Sequence, residues 1–395
     1  MKKFISILGS TGSIGLNTLS IIDKKKRYFK PFLFAANKNY KKICQQIIKY
    51  KPNYFIIRNK KIYLKVKQKF KENKNIKILH NYDFKELKKK KIDITVTAIP
   101  GIEGLNPTIL AIRTSKKVLL ANKESVICGW NILKKNITKY KTKVIPIDSE
   151  HFSILKLLRI IDFEDIDKIF ITASGGPFLN YKIKEFKKIT PKDALKHPKW
   201  KMGKKISIDS ATLMNKIFEV IEAQKIFNID PKKIEILIHP ESLIHAIIKL
   251  KNGLNYFIYH NTSMVIPLAN AIFEKKLEIK KIIKFSTTKN KNNFNNLSFK
   301  TVDSKIFPSI SLIQEINKYY SASIIINAAN EILVDQFLRK NIDFMSIFKI
   351  IKTILNDRNY KKYAIRKPQS INQITNIDKW ARNITLEKIK KWIIS

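Results

Sequence analysis

The first 150 residues alternate short apolar runs with longer stretches of helical spacing. A helical pattern runs, for example, from about Tyr40 to Tyr50. Strands separated by helices predict right-handed βαβ units and a parallel sheet, which is an α/β fold. The apolar and β-branched runs, each of the length of a buried strand, are KFISILGS, PFLFAA, YFIIRN, IDITVTAI, KVLLAN and KVIPID.

The pattern changes after residue 150. Residues 151–280 mix helical stretches with the strand candidates KIFITAS, IEILIHP and NYFIYHN, which indicates an α+β domain. From Ser286 to Lys305 the chain is polar, rich in Asn and Lys and without periodicity, as is typical of a linker. Helical spacing dominates beyond it and predicts a small helical bundle.

Composition is that of a globular protein. The 395 residues are 44% hydrophobic, which suffices for sizeable cores. The apolar run from Phe4 to Leu8 is too short for a signal peptide, and the chain has no apolar run of the roughly 18 residues that cross a bilayer. Cys44 and Cys128, the two cysteines, indicate neither a disulfide framework nor a zinc site. We therefore expect a cytoplasmic protein without a membrane partner.

The formal net charge of +47 raises the alternative of a nucleic-acid-binding protein. However, the lysines are spread along most of the chain, and arginine, which reads phosphate and guanine in a bidentate manner, is scarce. This distribution is typical of a genome-wide bias toward Lys, Ile and Asn. We expect nonspecific polyanion binding at low salt, and no specific nucleic-acid partner.

A glycine-rich stretch, GSTGSIG from Gly9 to Gly15, lies between the first predicted strand and the first predicted helix. Glycines let a backbone approach a pyrophosphate, and a helix N-terminus supplies free N–H groups. The spacing is GxxGxxG, and its place after the first strand favours a dinucleotide site over a plain glycine-rich turn.

The end of the second predicted strand indicates which dinucleotide binds. An NAD site requires an acidic residue there to bond the ribose 2′-hydroxyl. Here the strand is followed by Asn37, Lys38 and Asn39. A cation in the place of a carboxylate favours NADPH over NADH.

Two carboxylates follow the last predicted strand of the series, in IPIDSEHFSI. In extended backbone, Asp148 and Glu150 would point to the same side and share a cation. A hard divalent metal is the natural candidate. The alternative is a helix start, with Asp148 or Ser149 as the N-cap and Glu150 in the first turn.

Five segments in order and at similar spacing resemble the 1-deoxy-D-xylulose 5-phosphate reductoisomerase family. They are ANKES, DSEH, SGGPF, HPKWKMG and SIDSATLMNKIFEVIEA. The resemblance covers nearly the whole chain and is strongest between residues 120 and 245. It implies that the chain isomerises 1-deoxy-D-xylulose 5-phosphate and reduces the product with NADPH to 2-C-methyl-D-erythritol 4-phosphate, the committed step of non-mevalonate isoprenoid synthesis.

The resemblance also implies a divalent metal cofactor (Mg²⁺, Mn²⁺ or Co²⁺), a homodimer and inhibition by fosmidomycin-type compounds. The implied fold has a Rossmann-like NADPH-binding domain (1–148), a central α+β catalytic domain (149–285), a linker (286–308) and a C-terminal helical domain (309–395).

The resemblance assigns roles to individual residues. It makes Asp148, Glu150 and Glu219 the metal ligands, and with Lys123 and His197 they form the catalytic set. The implied substrate contacts are Lys123, Ser149, Glu150, Ser174, His197, Trp200, Ser210, Asn215, Lys216 and Glu219. The implied cofactor contacts are Thr11, Gly12, Ser13, Ile14, Asn37, Lys38, Asn39, Asn122, Glu124 and Gly203. HPKWKMG resembles the family's lid, and Ser242 and His245 of HPESLIH are expected to support the site or the fold.

The chain departs from the family pattern in three places. Asn37 replaces a glycine and is suited to a turn with positive φ. Pro100 replaces an aliphatic residue and removes a backbone donor near the nicotinamide side. Residues 262–270, TSMVIPLAN, replace a more polar segment.

Two other functions stay open from the sequence. One is an NADP-dependent dehydrogenase of the semialdehyde type, which needs a catalytic cysteine and would depend on Cys128. The other is a basic nucleic-acid-binding protein on an inactive Rossmann scaffold.

Overall fold

The computed structural model of the chain describes residues 2–82, 91–200, 202–274, 277–283 and 296–394. The chain divides into two compact units. The first unit comprises Met1–Ser125, Asn131–Phe152 and Ser263–Asn290, and the second comprises Val126–Trp130, Ser153–Thr262 and Lys291–Ser395.

A seven-stranded parallel sheet forms the centre of the first unit, as the alternating pattern predicts. Its strand order is β4-β3-β2-β1-β5-β6-β7, and every pairing is parallel. The strands are β1 Lys3–Leu8, β2 Phe29–Ala36, β3 Tyr54–Ile57, β4 Lys77–Leu79, β5 Ile92–Thr97, β6 Ser115–Leu120 and β7 Lys143–Pro146. All six strand candidates of this region are confirmed, and β4 is additional.

Helices connect these strands. They are α1 Ser13–Lys24, α2 Tyr40–Tyr50, α3 Lys60–Lys69, α4 Leu105–Thr114, α5 Lys123–Tyr140 and α6 Ser149–Leu157. Asparagine side chains begin three of them, because Asn39 caps α2, Asn59 caps α3 and Asn122 caps α5 by accepting from backbone N–H groups in the first turn. The order of the strands reverses at β1, which lies between β2 and β5. Ligands of such sheets bind at the carboxyl ends of the strands beside this switch point.

One helix reaches the first unit from a distant part of the chain. This helix, α10 Val265–Phe273, contains most of the segment that departs from the family pattern. Lys117 of β6 fixes its end by donating to the carbonyls of Ala271 and Ile272, at 3.0 and 3.3 Å, and by an ion pair with Glu274. The segment that departs from the family pattern therefore lies mostly within an ordered helix.

The second unit is built on a five-stranded mixed sheet of order β11-β10-β8-β9-β12. β8 pairs parallel with β9 and antiparallel with β10. The strands are β8 Ile166–Ala173, β9 Ile234–Ile238, β10 Ile244–Leu250, β11 Asn255–Tyr259 and β12 Lys300–Thr301. The helices of this part are α7 Pro191–Ala194, α8 Lys204–Ala211 and α9 Met214–Phe227. The three strand candidates and the α+β class are confirmed.

The core of this sheet is aliphatic. Ile169 and Ile171 of β8 pack with Val220 and Ala223 of α9, which places one face of α9 against the sheet. The start of α9, by contrast, carries polar side chains. α9 therefore carries both core residues and candidate site residues.

Helices dominate the end of the chain, as the sequence predicts. They are α11 Leu312–Lys318, α12 Ala322–Leu338, α13 Phe344–Leu355, α14 Tyr360–Ala364 and α15 Ile371–Ile394. α12 packs against α13 and α15 and is buried on most sides, which explains its nearly continuous apolar sequence.

The predicted domain boundaries remain predictions. The predicted linker, 286–308, lies outside the described residues from 286 to 295, and its described part contains the short edge strand β12. Among the described helices, none is long and apolar enough to cross a membrane.

Candidate active site

The glycine-rich loop of the first unit turns tightly between β1 and α1. The backbone N–H groups of Gly9 and Ser10 both donate to Ala35 O at 2.9 Å, which joins the loop to the end of β2. Gly9 has φ 95°, and a Cβ there would lie 2.4 Å from Ala98 O. A Cβ on Gly15 would lie 2.4 Å from Gly9 O. Both positions therefore require glycine.

The start of α1 suits an anion. Gly12 is its N-cap and offers no side-chain acceptor to the first turn. A helix leaves its first N–H groups without intrahelical acceptors, and here those groups follow the exposed Gly12 and Ser13. Thr11 and Ile14 are half-buried beside them. The loop can thus receive a pyrophosphate on backbone donors.

Gln46 of α2 holds this loop in place. Its Nε2 donates to Ser10 O at 2.9 Å, and its Oε1 accepts from Ser10 Oγ at 2.6 Å. Both residues are buried. Sequence reasoning missed Gln46, because a single glutamine on an amphipathic helix carries no distinguishing signal.

Asn37, Lys38 and Asn39 follow β2 as exposed residues. Asn39 Oδ1 accepts from Lys42 N at 3.1 Å and begins α2. Asn37 is absent from the residues with positive φ, so the expectation that this position needs a left-handed turn is wrong. The chain bends at Asn37 and Lys38 without a positive φ at either residue, so asparagine fits there as well as glycine.

Asn122 braces the loop that follows β5. It is buried and caps α5, since its Oδ1 accepts from Ser125 N at 2.8 Å. Its Nδ2 donates to Ile99 O at 2.6 Å and to Gly101 O at 3.1 Å. The loop around Pro100 is therefore held through its carbonyl groups, which a proline retains. Asn122 also donates to the buried Glu124 at 3.0 Å.

The two carboxylates after β7 lie at a helix start. α6 begins at Ser149, Glu150 lies in its first turn, and Phe152 N donates to Asp148 O at 2.8 Å. The expectation of extended backbone at Asp148 and Glu150 is wrong, and the helix-start alternative describes the backbone correctly. The strand β7 ends at Pro146, before it reaches either carboxylate. The two carboxylates nevertheless face one point, because an oxygen of one lies within 4.8 Å of an oxygen of the other.

Each of these carboxylates has a donor in the first unit. Lys123 Nζ lies 3.0 Å from Asp148 Oδ2, and the Lys123 side chain is only 9% exposed. Ser149 Oγ donates to Glu150 Oε2 at 2.5 Å. The structure thus brings Lys123, Asp148, Ser149 and Glu150 together. The Lys123 ammonium lies where it can also neutralise negative charge on a bound molecule.

In the second unit, Ser174 and His197 are hydrogen bonded. Ser174 Oγ lies 2.9 Å from His197 Nε2. His197 Nδ1 accepts from the backbone N–H groups of Lys199 and Trp200, at 3.2 and 2.9 Å. We assign the neutral tautomer with the proton on Nε2, because Nδ1 is occupied as an acceptor. Nε2–H then donates to Ser174, whose own hydroxyl proton is available to an anion.

The pKa of His197 fits this assignment. Burial, followed by the positive charge of Lys216, lowers the pKa of His197 to about 4. The ring is therefore neutral at physiological pH and orients Ser174. A phosphate beside Lys216 would oppose this shift, because a negative charge favours the imidazolium form.

The SGGP segment approaches the end of α8 closely. Gly176 has φ 65°, and a Cβ there would lie 3.0 Å from Ser210 O. Gly176 N donates to Ser174 Oγ at 3.2 Å. Ser174 and Ser210 are therefore neighbours, as the phosphate-pocket prediction requires, and the glycine is what allows their approach.

Three predicted site residues are linked on α9. Lys216 Nζ donates to Glu219 Oε2, and Asn215 Nδ2 donates to Glu219 Oε1. Lys216 and Glu219 are both buried. The turn before the helix is strained, because Leu213, a buried residue, has φ 63°. Sequence reasoning missed this conformation, since leucine rarely adopts it.

The lid segment borders these residues. Trp200 is half-buried, and its ring contacts that of His245 edge-on, with centroids 6.0 Å apart. Gly203 is exposed, is the N-cap of α8 and would meet nothing within 4 Å if it carried a Cβ. The predicted contact between Gly203 and the cofactor stays a prediction.

The residue that precedes Ser210 in the chain belongs to a polar network. Asp209 Oδ2 lies 2.8 Å from Lys205 Nζ, and Asp209 Oδ1 accepts from Asn330 Nδ2 at 2.7 Å. This network ties α8 to α12. Sequence reasoning missed it, although an aspartate within a helical segment that is otherwise apolar or small was a usable signal.

The profiles of one protein family match three parts of the chain. They are the 1-deoxy-D-xylulose 5-phosphate reductoisomerase profile over residues 5–129, its C-terminal-domain profile over 144–227, and a further C-terminal-domain profile over 260–384. A 1-deoxy-D-xylulose 5-phosphate reductoisomerase of Pelagibacter ubique is 44% identical over 387 residues, 96% of this chain and 97% of that protein. This chain belongs to the 1-deoxy-D-xylulose 5-phosphate reductoisomerase family.

Other members of the family are also similar to this chain over nearly its full length. The reductoisomerase of a Wolbachia strain from Culex pipiens is 38% identical over 99% of this chain and 98% of its own length. The Zymomonas mobilis enzyme, solved in complex with NADPH, has a TM-score of 0.85 at 31% identity, with 98% of this chain and 99% of that chain covered. A reductoisomerase solved with fosmidomycin and magnesium has a TM-score of 0.90 at 28% identity over the whole of both chains. The predicted family and fold class are confirmed.

Cys128 does not suit the semialdehyde-dehydrogenase alternative. It is 5% exposed within α5. A catalytic cysteine must reach its substrate, and this one is enclosed in the second unit.

Proposed function

We propose that the protein is an NADPH-dependent, divalent-metal reductoisomerase that converts 1-deoxy-D-xylulose 5-phosphate to 2-C-methyl-D-erythritol 4-phosphate in isoprenoid synthesis. The observation that carries the proposal is membership of the reductoisomerase family over nearly the full chain. The charges and hydrogen bonds of the described residues supply what each step of this reaction needs.

The first unit fits NADPH. The glycines whose added Cβ atoms would collide with backbone leave room for a pyrophosphate, and α1 directs its N-terminus to the same loop. Thr11, Gly12, Ser13 and Ile14 would contact the pyrophosphate, and Lys38 with Asn37 and Asn39 would contact the 2′-phosphate. Asn122, Glu124 and Gly203 complete the proposed cofactor contacts. Bound NADPH supplies the hydride for the reduction.

The second unit fits the phosphate of the substrate. Ser174, oriented by neutral His197, presents a hydroxyl proton, and Ser210 lies beside it across Gly176. Asn215 and Lys216 supply an amide and an ammonium from the first turn of α9. Because a phosphate dianion accepts strongly from such donors, these groups would turn from Glu219 toward the phosphate when the substrate binds.

The carboxylates fit a hard divalent cation. We propose Asp148, Glu150 and Glu219 as its ligands, since all three offer oxygen atoms. A bound Mg²⁺, Mn²⁺ or Co²⁺ would act as a Lewis acid toward substrate oxygens. Lys123 holds Asp148 in place and contributes a second positive charge, while Ser149 orients Glu150 and contacts the substrate.

Trp200 and His197 would cover the bound substrate. The lid supplies an apolar surface that excludes water during the rearrangement. His197 connects the two tasks, because its Nδ1 holds the backbone of Trp200 while its Nε2–H orients Ser174.

The test is NADPH oxidation by purified protein with 1-deoxy-D-xylulose 5-phosphate and Mg²⁺ or Mn²⁺. We expect turnover that EDTA abolishes, and a loss of at least about 100-fold in kcat in Glu150→Gln and Glu219→Gln, the scale of losing an electrostatic catalytic group. Glu235→Gln is the matched control, because Glu235 lies in the same unit as Glu219, is exposed and forms an ion pair with Lys168. Oxidation that survives EDTA and both variants would contradict the proposal.

We also propose a cytoplasmic homodimer. β11 is an edge strand of the second unit's sheet and exposes Tyr256 and Phe257, 38% and 47% accessible, with Leu254 just before it. An edge strand with exposed large apolar side chains is a favourable surface for a second copy.

A further inference from the structure

Three aromatic rings of the second unit contact one another in sequence. The Trp200 indole meets the His245 imidazole edge-on, at 6.0 Å and 65°. The His245 ring stacks on that of His260, at 4.1 Å and 24°. We call Trp200, His245 and His260 the ring stack. The ring stack connects the lid segment to the sheet that contains β10 and β11.

A β-bulge places His245 in the ring stack. In the antiparallel pair of β10 and β11, Ile244 faces Tyr259 and Ile247 faces Phe257, so His245 and Ala246 together oppose one residue. Such bulges re-aim a side chain and are common next to active sites. His260 follows β11 directly, and its N–H donates to Leu243 O at 3.0 Å.

One ring nitrogen of His260 is hydrogen bonded and the other is not, among the described residues. Its Nδ1 lies 2.9 Å from Asn261 O, which assigns the ring proton to Nδ1. Its Nε2 is buried and lacks a hydrogen-bond partner among the described residues. Burial also lowers the pKa of His260, so the ring is neutral. A buried acceptor without a partner costs stability and needs an explanation.

We propose that His260 is a positioning residue for the lid. Its neutral ring supports His245, and His245 supports Trp200, so His260 favours the closed position of Trp200 without touching the substrate. This gives an imidazole with one unused nitrogen a structural role, since its flat ring serves for stacking. The inference rests on the proposed role of Trp200 in covering the substrate.

Steady-state kinetics of His260→Ala and His260→Phe test the proposal. Loss of the stacked ring should raise KM for 1-deoxy-D-xylulose 5-phosphate by about 3- to 10-fold, the range that aromatic pairs contribute. kcat and KM for NADPH should change by less than about twofold, within the effect of a substitution that touches neither. His260→Phe keeps a ring and should restore KM. Tyr363→Ala is the matched control, because it removes the ring stacked on Trp380, at 4.3 Å and 11°, elsewhere in the same unit.

A second measurement needs no turnover. The fluorescence of Trp200, taken as the difference between each protein and its Trp200→Phe counterpart, should become more accessible to acrylamide in His260→Ala, and stay unchanged in His260→Phe and Tyr363→Ala. Unchanged quenching in His260→Ala would overturn the inference, as would equal KM values in all three variants. Turnover that is absent from the wild type would reject the proposed function, while the quenching data would still decide the role of His260.

Discussion

At the scale of single residues, we expect the choice between NADPH and NADH to depend on the exposed side chain of Lys38. Lys38 is exposed at the carboxyl end of β2, and the neighbouring Asn39 is engaged in capping α2. In doubly wound sheets, this is where the adenosine ribose lies. An acidic residue here would bond a 2′-hydroxyl and repel a 2′-phosphate. We therefore propose that Lys38 provides the charge that distinguishes the two cofactors.

We expect Lys38→Glu to lower the ratio of kcat/KM for NADPH to that for NADH by about 10- to 100-fold, since a hydrogen bond to a charged group is worth about 1.5–3 kcal/mol. The measurement is cofactor oxidation at saturating substrate and metal. Lys30→Glu is the matched control, because Lys30 is exposed on the same strand near its opposite end. A ratio that Lys38→Glu leaves unchanged would assign 2′-phosphate recognition to other residues.

The sequence could predict the residue types of the site better than their local backbone. The GSTGSIG loop is predictable because tight turns and close approaches admit only glycine, and the structure shows such approaches at Gly9 and Gly15. The backbone conformation of Asp148 and Glu150 is not predictable from the sequence, because an apolar strand followed by polar residues is compatible with either an extended or a helical continuation. The conformation of Leu213 is still harder to predict, because surrounding packing imposes a positive φ that leucine does not prefer.

At the scale of elements, α9 combines a polar beginning with an unusual end. Its first turns carry Asn215, Lys216 and Glu219, and its last turn carries Lys225, which is half-buried. Lys225 Nζ donates to Ile127 O at 2.5 Å and to Ser323 Oγ at 3.3 Å. Burial lowers the pKa of Lys225 to about 8. At neutral pH the folded protein therefore bears most of the cost of a buried ammonium.

We expect Lys225→Met to stabilise the protein at pH 7 by about 1–2 kcal/mol. The drop in pKa from 10.5 to about 8 corresponds to a penalty of about 3 kcal/mol, and the lost hydrogen bonds offset about half of it. Ile127 O keeps a donor, because Ser323 Oγ lies 3.0 Å from it. The measurement is the free energy of unfolding in urea.

The pH dependence gives this prediction its sign. Between about pH 8 and pH 10.5 the unfolded chain holds the Lys225 proton and the folded chain does not, so the wild type gains stability as pH rises. The advantage of Lys225→Met should shrink over that range. Lys233→Met is the control, because Lys233 donates to Ile166 O at 2.6 Å from a half-buried position. An advantage independent of pH would show that packing, and not the charge, is responsible.

The elements themselves were largely predictable, and the three strands that the patterns omit show why. β12 has only two residues and lies within the predicted linker. β4 has only three residues, too few for periodicity to distinguish it from a loop. β10 has six of its seven residues buried and so lacks the alternation of a half-buried strand, and His245 interrupts its apolar run. The parallel strands of the first unit are buried on both faces and read as continuous apolar runs. Tertiary burial, not local preference, decides the ambiguous cases.

At the scale of the whole molecule, the net charge of +47 opposes association of two copies. The proposed dimer must gain enough from apolar contact along β11 to overcome this repulsion. Salt screens charges over about 10 Å at 0.1 M. The dimer should therefore become tighter as the salt concentration rises, which is opposite to the behaviour of a complex with nucleic acid.

We expect Phe257→Lys to yield a monomer, because it adds a charge to the edge strand where Phe257 is 47% exposed. Sedimentation velocity at several protein concentrations measures the change. Phe163→Lys is the matched control, since Phe163 is 45% exposed in the same unit and lies in the turn before β8. Raising the salt from about 50 to about 300 mM should lower the dimer dissociation constant of the wild type and of Phe163→Lys. A Phe257→Lys protein that remains dimeric at low salt would exclude β11 as the interface, because repulsion is strongest under that condition.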